Sequence, residues 1–180
     1  MSYIKTKLSL DDKDILEDIF EELEEITLPT TYYCKEKRGS GSYHAIKTGT
    51  TSQKNARQTV FGLTYYHGNW KKSNSTIKHP HIIPLFKKFI RSHYPEFKFK
   101  SVYVNKNTVC KKHLDSKNSG ESLLVGFGPY TGGKTVVYDN DGKNPKKFNI
   151  RSNSLIFNGS ELLHKSEKFD GTRYSLVFFK

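Results

Sequence analysis

Residues 121–145 read ESLLVGFGPYTGGKTVVYDNDGKNP. An apolar run halts at a Pro-Tyr-Thr-Gly-Gly turn, returns as KTVVYD, and breaks again at NDGKNP. Short apolar runs bounded by Gly, Pro and Asn read as buried strands rather than helices, because a helix needs a longer periodic stretch. The two runs predict the arms of one hairpin. The same texture continues on both sides. FKFKSVYVNK (97–106) alternates and NTVCKKHLD (107–115) is short and strand-like; KFNIR (147–151), NSLIFN (153–158) and TRYSLVFF (172–179) complete the set. Six to eight strands at regular spacing, with helices ahead of them, predict an antiparallel sandwich or jelly roll: a mostly β, α+β chain buttressed by N-terminal helices.

The helices are legible from their stripes. In LDDKDILEDIFEELEEI (10–26), Leu16, Ile19, Phe20, Leu23 and Ile26 recur at spacings of three and four. Ser9 is placed to cap this helix, and Asp11, Asp12 and Asp14 favour its positive end. HIIPLFKKFIRSH (81–93) predicts a second helix, with Pro84 in its first turn and Pro95 beyond its end. Between them, residues 35–57 are Gly/Ser/Thr-rich and basic and read as a loop or loose hairpin. QTVFGLTYY (58–66) is strand-like, and HGNWKKSNSTIKHP (67–80) reads as a polar link. The division expected is one domain over 1–180, with helices and basic substrate-facing loops in 1–96 and the β core in 97–180.

At 180 residues the chain can bury a sizeable core. No apolar run is long enough to span a membrane. The first residues, MSYIKTKLSLDD, carry no apolar signal segment, and Cys34 and Cys110 have no metal-ligand or redox spacing. An intracellular, cytoplasmic or nuclear monomer is the expectation. Charge is uneven: residues 1–26 hold nine acids and three lysines, whereas the remaining 154 residues carry a net +18. Such a body suits a polyanion, DNA or RNA first, although an AT-rich genome gives the same lysine and asparagine bias. Tyr43, His44, Tyr65, Tyr66, His67 and Trp70, set among cations, suit stacked bases or an ordinary loop packed on the core.

His113 and Asp115 stand at i and i+2 in KKHLD, so in a strand both project to one face. That is either a solvated pair or two arms of a metal site. His164 lies beyond the NSLIFNGS strand and turn. Two imidazoles and one carboxylate form the facial triad of non-haem Fe(II), which leaves coordination positions open. Arg173 and Ser175 are again i and i+2 on the last strand, where a guanidinium fork and a hydroxyl can hold a carboxylate. Tyr103 and Asn105 lie on the strand leading to the first ligand pair.

In order and spacing, His113-x-Asp115, His164 and Arg173-x-Ser175 resemble the Fe(II)/2-oxoglutarate-dependent dioxygenases over about residues 97–180. HLDSKNSGESLLVGFGPYTGG and FDGTRYSLVFF are similar to the TET/JBP-like branch, which hydroxylates the methyl group of thymine or 5-methylcytosine. The interval from His164 to Arg173 and the Arg-Tyr-Ser strand are equally similar to the prolyl-hydroxylase-like branch. Lys134, after Gly132-Gly133, departs from the acidic residue expected there. The resemblance implies a double-stranded β-helix of the cupin-like jelly-roll type, with Fe(II) on His113, Asp115 and His164. It also implies 2-oxoglutarate held by Arg173 and Ser175, O2 as oxidant, and hydroxylation of a C–H bond. Tyr103 and Asn105, from their position alone, read either as groups that bond the co-substrate or orient a ligand, or as residues that end and pack a strand. The open alternatives are a pyrimidine methyl in nucleic acid, a protein side chain or amino acid, and a non-enzymatic jelly-roll binding module. His44, His67, His79, His81 and His93 have no ligand spacing and read as surface or loop residues; Asn118 reads as part of a turn.

Overall fold

A computed structural model describes residues 3–29, 56–115 and 119–180. Cys34, Tyr43, His44, Asn118 and most of the basic loop at 35–57 lie outside the described residues. Helix α1 is Leu10–Glu25, α2 is Asn74–Lys78, and α3 is Ile83–His93, entered through a 3-10 turn at Pro80–Ile82. Ser9 caps α1 as expected. Its hydroxyl accepts from Asp12 N at 3.0 Å while Asp12 Oδ2 accepts from Ser9 N at 2.9 Å, a reciprocal capping box. None of these helices is long and apolar enough to cross a membrane.

The strands are β1 (Tyr3–Lys7), β2 (Arg57–Tyr66), β3 (Asn69–Lys72), β4 (Ser101–Lys106), β5 (Ser122–Phe127) and β6 (Tyr130–Gly132). They continue with β7 (Thr135–Val137), β8 (Lys146–Phe148), β9 (Asn153–Phe157), β10 (His164–Ser166), β11 (Phe169–Gly171) and β12 (Tyr174–Phe179). A seven-stranded sheet runs β1-β9-β5-β12-β4-β2-β3; a smaller one runs β10-β7-β8, and β11 pairs with β6. All these pairings are antiparallel. Two facing antiparallel sheets with strands crossing between them make this the expected jelly roll.

Alternation decides what each face of the large sheet does. On β12, Tyr174, Leu176 and Phe178 point one way and join Val102, Val104, Leu123, Val125 and Ile156 from the neighbouring strands. This layer packs on Ile15, Leu16, Ile19 and Leu23 of α1 and on Phe86, Phe89 and Ile90 of α3. Each such side chain contributes about 1.5–3 kcal/mol by leaving water. On the opposite face, Leu124, Leu155 and Phe157 pack with Val137, Phe148 and Leu162, which come from or adjoin the small sheet. Beside them on that second face, Tyr103, Asn105, Ser122, Ser175 and the apolar Val177 line a pocket.

Two expectations are corrected. The predicted hairpin does not form: β5 pairs with β12 and β9, while β7 pairs with β10 and β8 in the other sheet. Strand β5 is buried on both faces, so its pattern carries no information about its partner. Gly128 (φ +101°) and the pair Gly132 and Gly133 (φ +76° and +63°) turn the chain out of one sheet into the other. His93 is not a surface residue. Its side chain is 1% exposed; Nδ1 lies 2.8 Å from Asp12 Oδ2 and Nε2 lies 2.6 Å from Ser154 Oγ, tying α3 to α1 and β9. Moreover, β1 has no counterpart in the sequence reading, and part of the link HGNWKKSNSTIKHP is the strand β3.

Candidate metal centre and anion pocket

Residues 110–115 run antiparallel beside β10. His113 and His164 exchange backbone hydrogen bonds of 3.0 Å each way, Ser166 N donates to Cys110 O, and Asp115 N donates to Gly159 O at 2.9 Å. This pairing fixes His113 and Asp115 on the face that His164 also uses. The nearest ligand atoms of the three residues lie within 4.8 Å of one another. Asp115 Oδ1 is 3.4 Å from His113 Nε2 and 3.6 Å from His164 Nε2.

Each ring is aimed by its own backbone. His113 Nδ1–H donates to Lys111 O at 2.6 Å, and His164 Nδ1–H donates to Leu162 O at 2.9 Å. A carbonyl can only accept, so Nδ1 carries a proton and Nε2 faces inward, where it donates to Asp115 when protonated and would offer its lone pair to a cation in the proton's place. Gly159 makes room for the carboxylate. A Cβ there would collide with Asp115 Oδ2 and come within 3.2 Å of His164 Cε1. Burial raises the Asp115 pKa, but hydrogen bonds from His113 and His164 and their charges outweigh it, holding the carboxyl well below the usual range. Burial opposes protonation of His113, yet its bonds to Asp115 and to the Lys111 carbonyl raise its pKa. A dense N,N,O set without thiolate suits a borderline or hard divalent cation such as Fe(II) or Mn(II).

The pocket beside this set holds about 110 Å³. Register gives it two ends. Phe157 pairs with Ser122 at one end of the large sheet, and its ring sits 5.0 Å from that of His164. Ser175 pairs with Asn105, and Asn105 with Gln58, toward the other end, and Arg173 lies two residues beyond Ser175. Arg173 is 3% exposed. Its guanidinium sits 5.5 Å from the Tyr130 ring and 5.9 Å from that of Phe169, and among the described residues its Nε has no hydrogen-bond partner. A Cβ at Gly133 would lie 2.9 Å from that Nε, so this glycine lets the turn close over the side chain. Among the described residues no carboxylate pairs with Arg173. A buried guanidinium with no carboxylate beside it is costly, and a small carboxylate bound in the pocket would offset that cost.

Asn105 Nδ2 donates to Ser175 Oγ at 3.4 Å, and Asn105 Oδ1 is buried without a partner among the described residues. Tyr103 lines the same pocket and stacks on Phe179 at 5.6 Å. Thus all seven residues singled out in the sequence line one pocket. Lys134, the departure from the family's pattern, is exposed at a turn; only its carbonyl is used, accepting from Glu167 N. His67 and His81 are exposed and none of His67, His79, His81 and His93 reaches the pocket.

Sequence reasoning missed several lining residues. Ser166 follows His164 by two positions, so the same i, i+2 rule would have found it. Thr108, Thr135, Cys110 and Gln58 had no such signal. Burial pushes the Cys110 thiol up to about 11, so it stays neutral. Asn107 was also missed. In the left-handed region (φ +53°), it donates from N to Arg173 O and accepts from Arg173 N at Oδ1, both at 2.8 Å, pinning the arginine's backbone.

No protein-family model matches this sequence, and no curated protein matches it. Solved structures do match in fold. An oxidoreductase of the 2OG-Fe(II) oxygenase family from Burkholderia pseudomallei aligns with TM-score 0.56 at 17% identity, covering 98% of this chain and 84% of that one. A Pseudomonas putida prolyl-4-hydroxylase aligns with TM-score 0.55 at 13% identity over 99% and 92%. NgTET1 in complex with 5mC DNA aligns with TM-score 0.59 at 14% identity over 93% and 67%. Fold and site together define the class: a double-stranded β-helix with a two-histidine, one-aspartate cluster at one end of its pocket and a buried arginine toward the other.

Proposed function

We propose that this protein is an Fe(II)- and 2-oxoglutarate-dependent dioxygenase that hydroxylates the methyl group of a pyrimidine base, thymine or 5-methylcytosine, in nucleic acid. The observation that carries the reading is the pairing of the His113–Asp115–His164 cluster with an unpaired, buried Arg173 in one pocket. A dicarboxylic co-substrate has one carboxylate for each end. His113, Asp115 and His164 would hold the iron. Arg173 and Ser175 would hold the distal carboxylate of 2-oxoglutarate, and Asn105 and Tyr103 would orient it from the adjacent strand. When bound, iron, 2-oxoglutarate and O2 supply the oxidising chemistry, in which one oxygen atom enters succinate as CO2 leaves and the other becomes the product hydroxyl. The chain's own part is to aim the ligands, neutralise the co-substrate and keep water out with Leu124, Phe157 and Val177, which line the pocket.

Nucleic acid is favoured by the +18 body and by the likeness to NgTET1 bound to 5mC DNA. Base access would require a flipped or single-stranded nucleotide. A prolyl-type or other side-chain hydroxylase is the second reading, favoured by the likeness to the Pseudomonas putida enzyme. Succinate release screened against methylated oligonucleotides and a peptide library tests both. Stimulation by oligonucleotides, with a +16 Da nucleoside product, supports the first; a +16 Da product on peptides alone contradicts it.

A further inference from the structure

Register places the metal cluster at the end of the large sheet where Phe157, Ser122, Phe179, Ser101 and Gly62 fall in successive strands. Strand β2 does not stop there. It runs on through Leu63–Tyr66 and turns back as β3, so this hairpin projects past the metal end of the sheet, on the far side from β9. Its side chains are unusual for a free edge. Tyr65, Tyr66 and Trp70 are 63%, 62% and 51% exposed. Tyr65 and Trp70 are direct cross-strand partners with rings 5.4 Å apart, and Lys100 Nζ stands 4.7 Å above the Trp70 ring. Lys71 and Lys72 lie on β3 itself. Lysines alone would guard an edge strand against pairing; three exposed rings do not serve that purpose.

Along the sequence, the hairpin sits in a stretch whose charges have one sign. From Lys37 to Pro95 the sequence has eleven Lys and Arg and no Asp or Glu. Among the described residues no ion pair engages Lys71, Lys72 or Lys100, whereas Lys88 of α3 is paired with Asp18 of α1. Exposed rings interleaved with unpaired cations match the two chemistries of a nucleic-acid strand, stacked bases and phosphates.

We infer that the β2–β3 hairpin is a stacking platform for single-stranded nucleic acid, with bases on Tyr65 and Trp70 and phosphates on Lys71, Lys72 and Lys100. It holds the strand that flanks the reacting base, and so rests on the nucleic-acid reading above. Trp70 is the sole tryptophan of the chain and reports directly on the hairpin. In the metal-free chain of 180 residues at low salt, an unmodified single-stranded oligonucleotide should quench its emission saturably. Anisotropy of a labelled oligonucleotide should show Tyr65→Ala and Trp70→Ala each weakening binding roughly five- to a hundredfold, with Tyr65→Phe close to the parent. Thermal melts of the variants confirm folding. Unchanged emission, equal quenching by base-free polyphosphate, or undiminished binding by both alanine variants would overturn the inference. Because no iron or 2-oxoglutarate is present, binding without later turnover would sink the dioxygenase reading and leave the hairpin's role standing.

Discussion

Gly159 acts by having no side chain. The space a Cβ would take is occupied by the Asp115 carboxylate, so Gly159→Ala must move the one anionic member of the cluster. Calorimetric titration with Mn(II) should show affinity falling at least tenfold in this variant while the fold persists; unchanged affinity would remove Asp115 from the metal site. Arg173→Lys tests the other end of the pocket. A lysine keeps the charge but loses the planar fork and the ring contacts with Tyr130 and Phe169. We expect 2-oxoglutarate binding to weaken roughly tenfold or more, with Mn(II) affinity unaltered. At this scale the sequence was informative wherever one strand carried both members of a pair, as for His113 and Asp115 or Arg173 and Ser175. Gly159, Gly133 and Asn107 were not legible, because each acts on a side chain or backbone brought to it only by folding.

At the scale of elements, the helices and the large sheet are joined through a buried polar chain. Asp12 accepts from the N–H of Ser9, the α1 cap, accepts from Ser92 at 2.8 Å and meets His93, which reaches Ser154 on β9. Although burial alone would raise its pKa, hydrogen bonds from Ser9, His93 and Ser92 lower it below the ordinary value of 3.8. A carboxylate depressed on folding stabilises the native state above its unfolded pKa, and that contribution is lost as pH falls through the lower folded value. Asp12→Asn should therefore cost roughly 2–3 kcal/mol in urea unfolding at pH 7, and the gap to the parent should narrow near pH 3. A gap independent of pH would contradict the ionised role. Helix α1 was readable from its stripe and its cap. The sheet pairing of β5 was not, since a strand buried on both faces fits any partner, and His93 gave no sign of burial because its partners lie on two distant elements.

For the whole molecule, the acidic α1 and the basic remainder separate two tasks. Part of the acid is spent internally: Glu22 meets His81, Asp18 meets Lys88 and Glu24 meets Lys106, leaving the body net positive. If that charge serves nucleic acid, the logarithm of oligonucleotide affinity should fall linearly with the logarithm of salt, with a slope of about −2 or steeper for three lysines engaged on a single strand. A flat dependence would return the lysine bias to composition alone. The jelly-roll class was legible from strand count and helix placement, whereas substrate choice was not, because it belongs to surfaces whose geometry no periodicity encodes. The most direct measurement is an anaerobic titration of the full chain with Fe(II) in the presence of 2-oxoglutarate. We predict one ion bound per chain, abolished in Asp115→Ala; less than about a tenth of an ion per chain, or undiminished uptake by that variant, would contradict it.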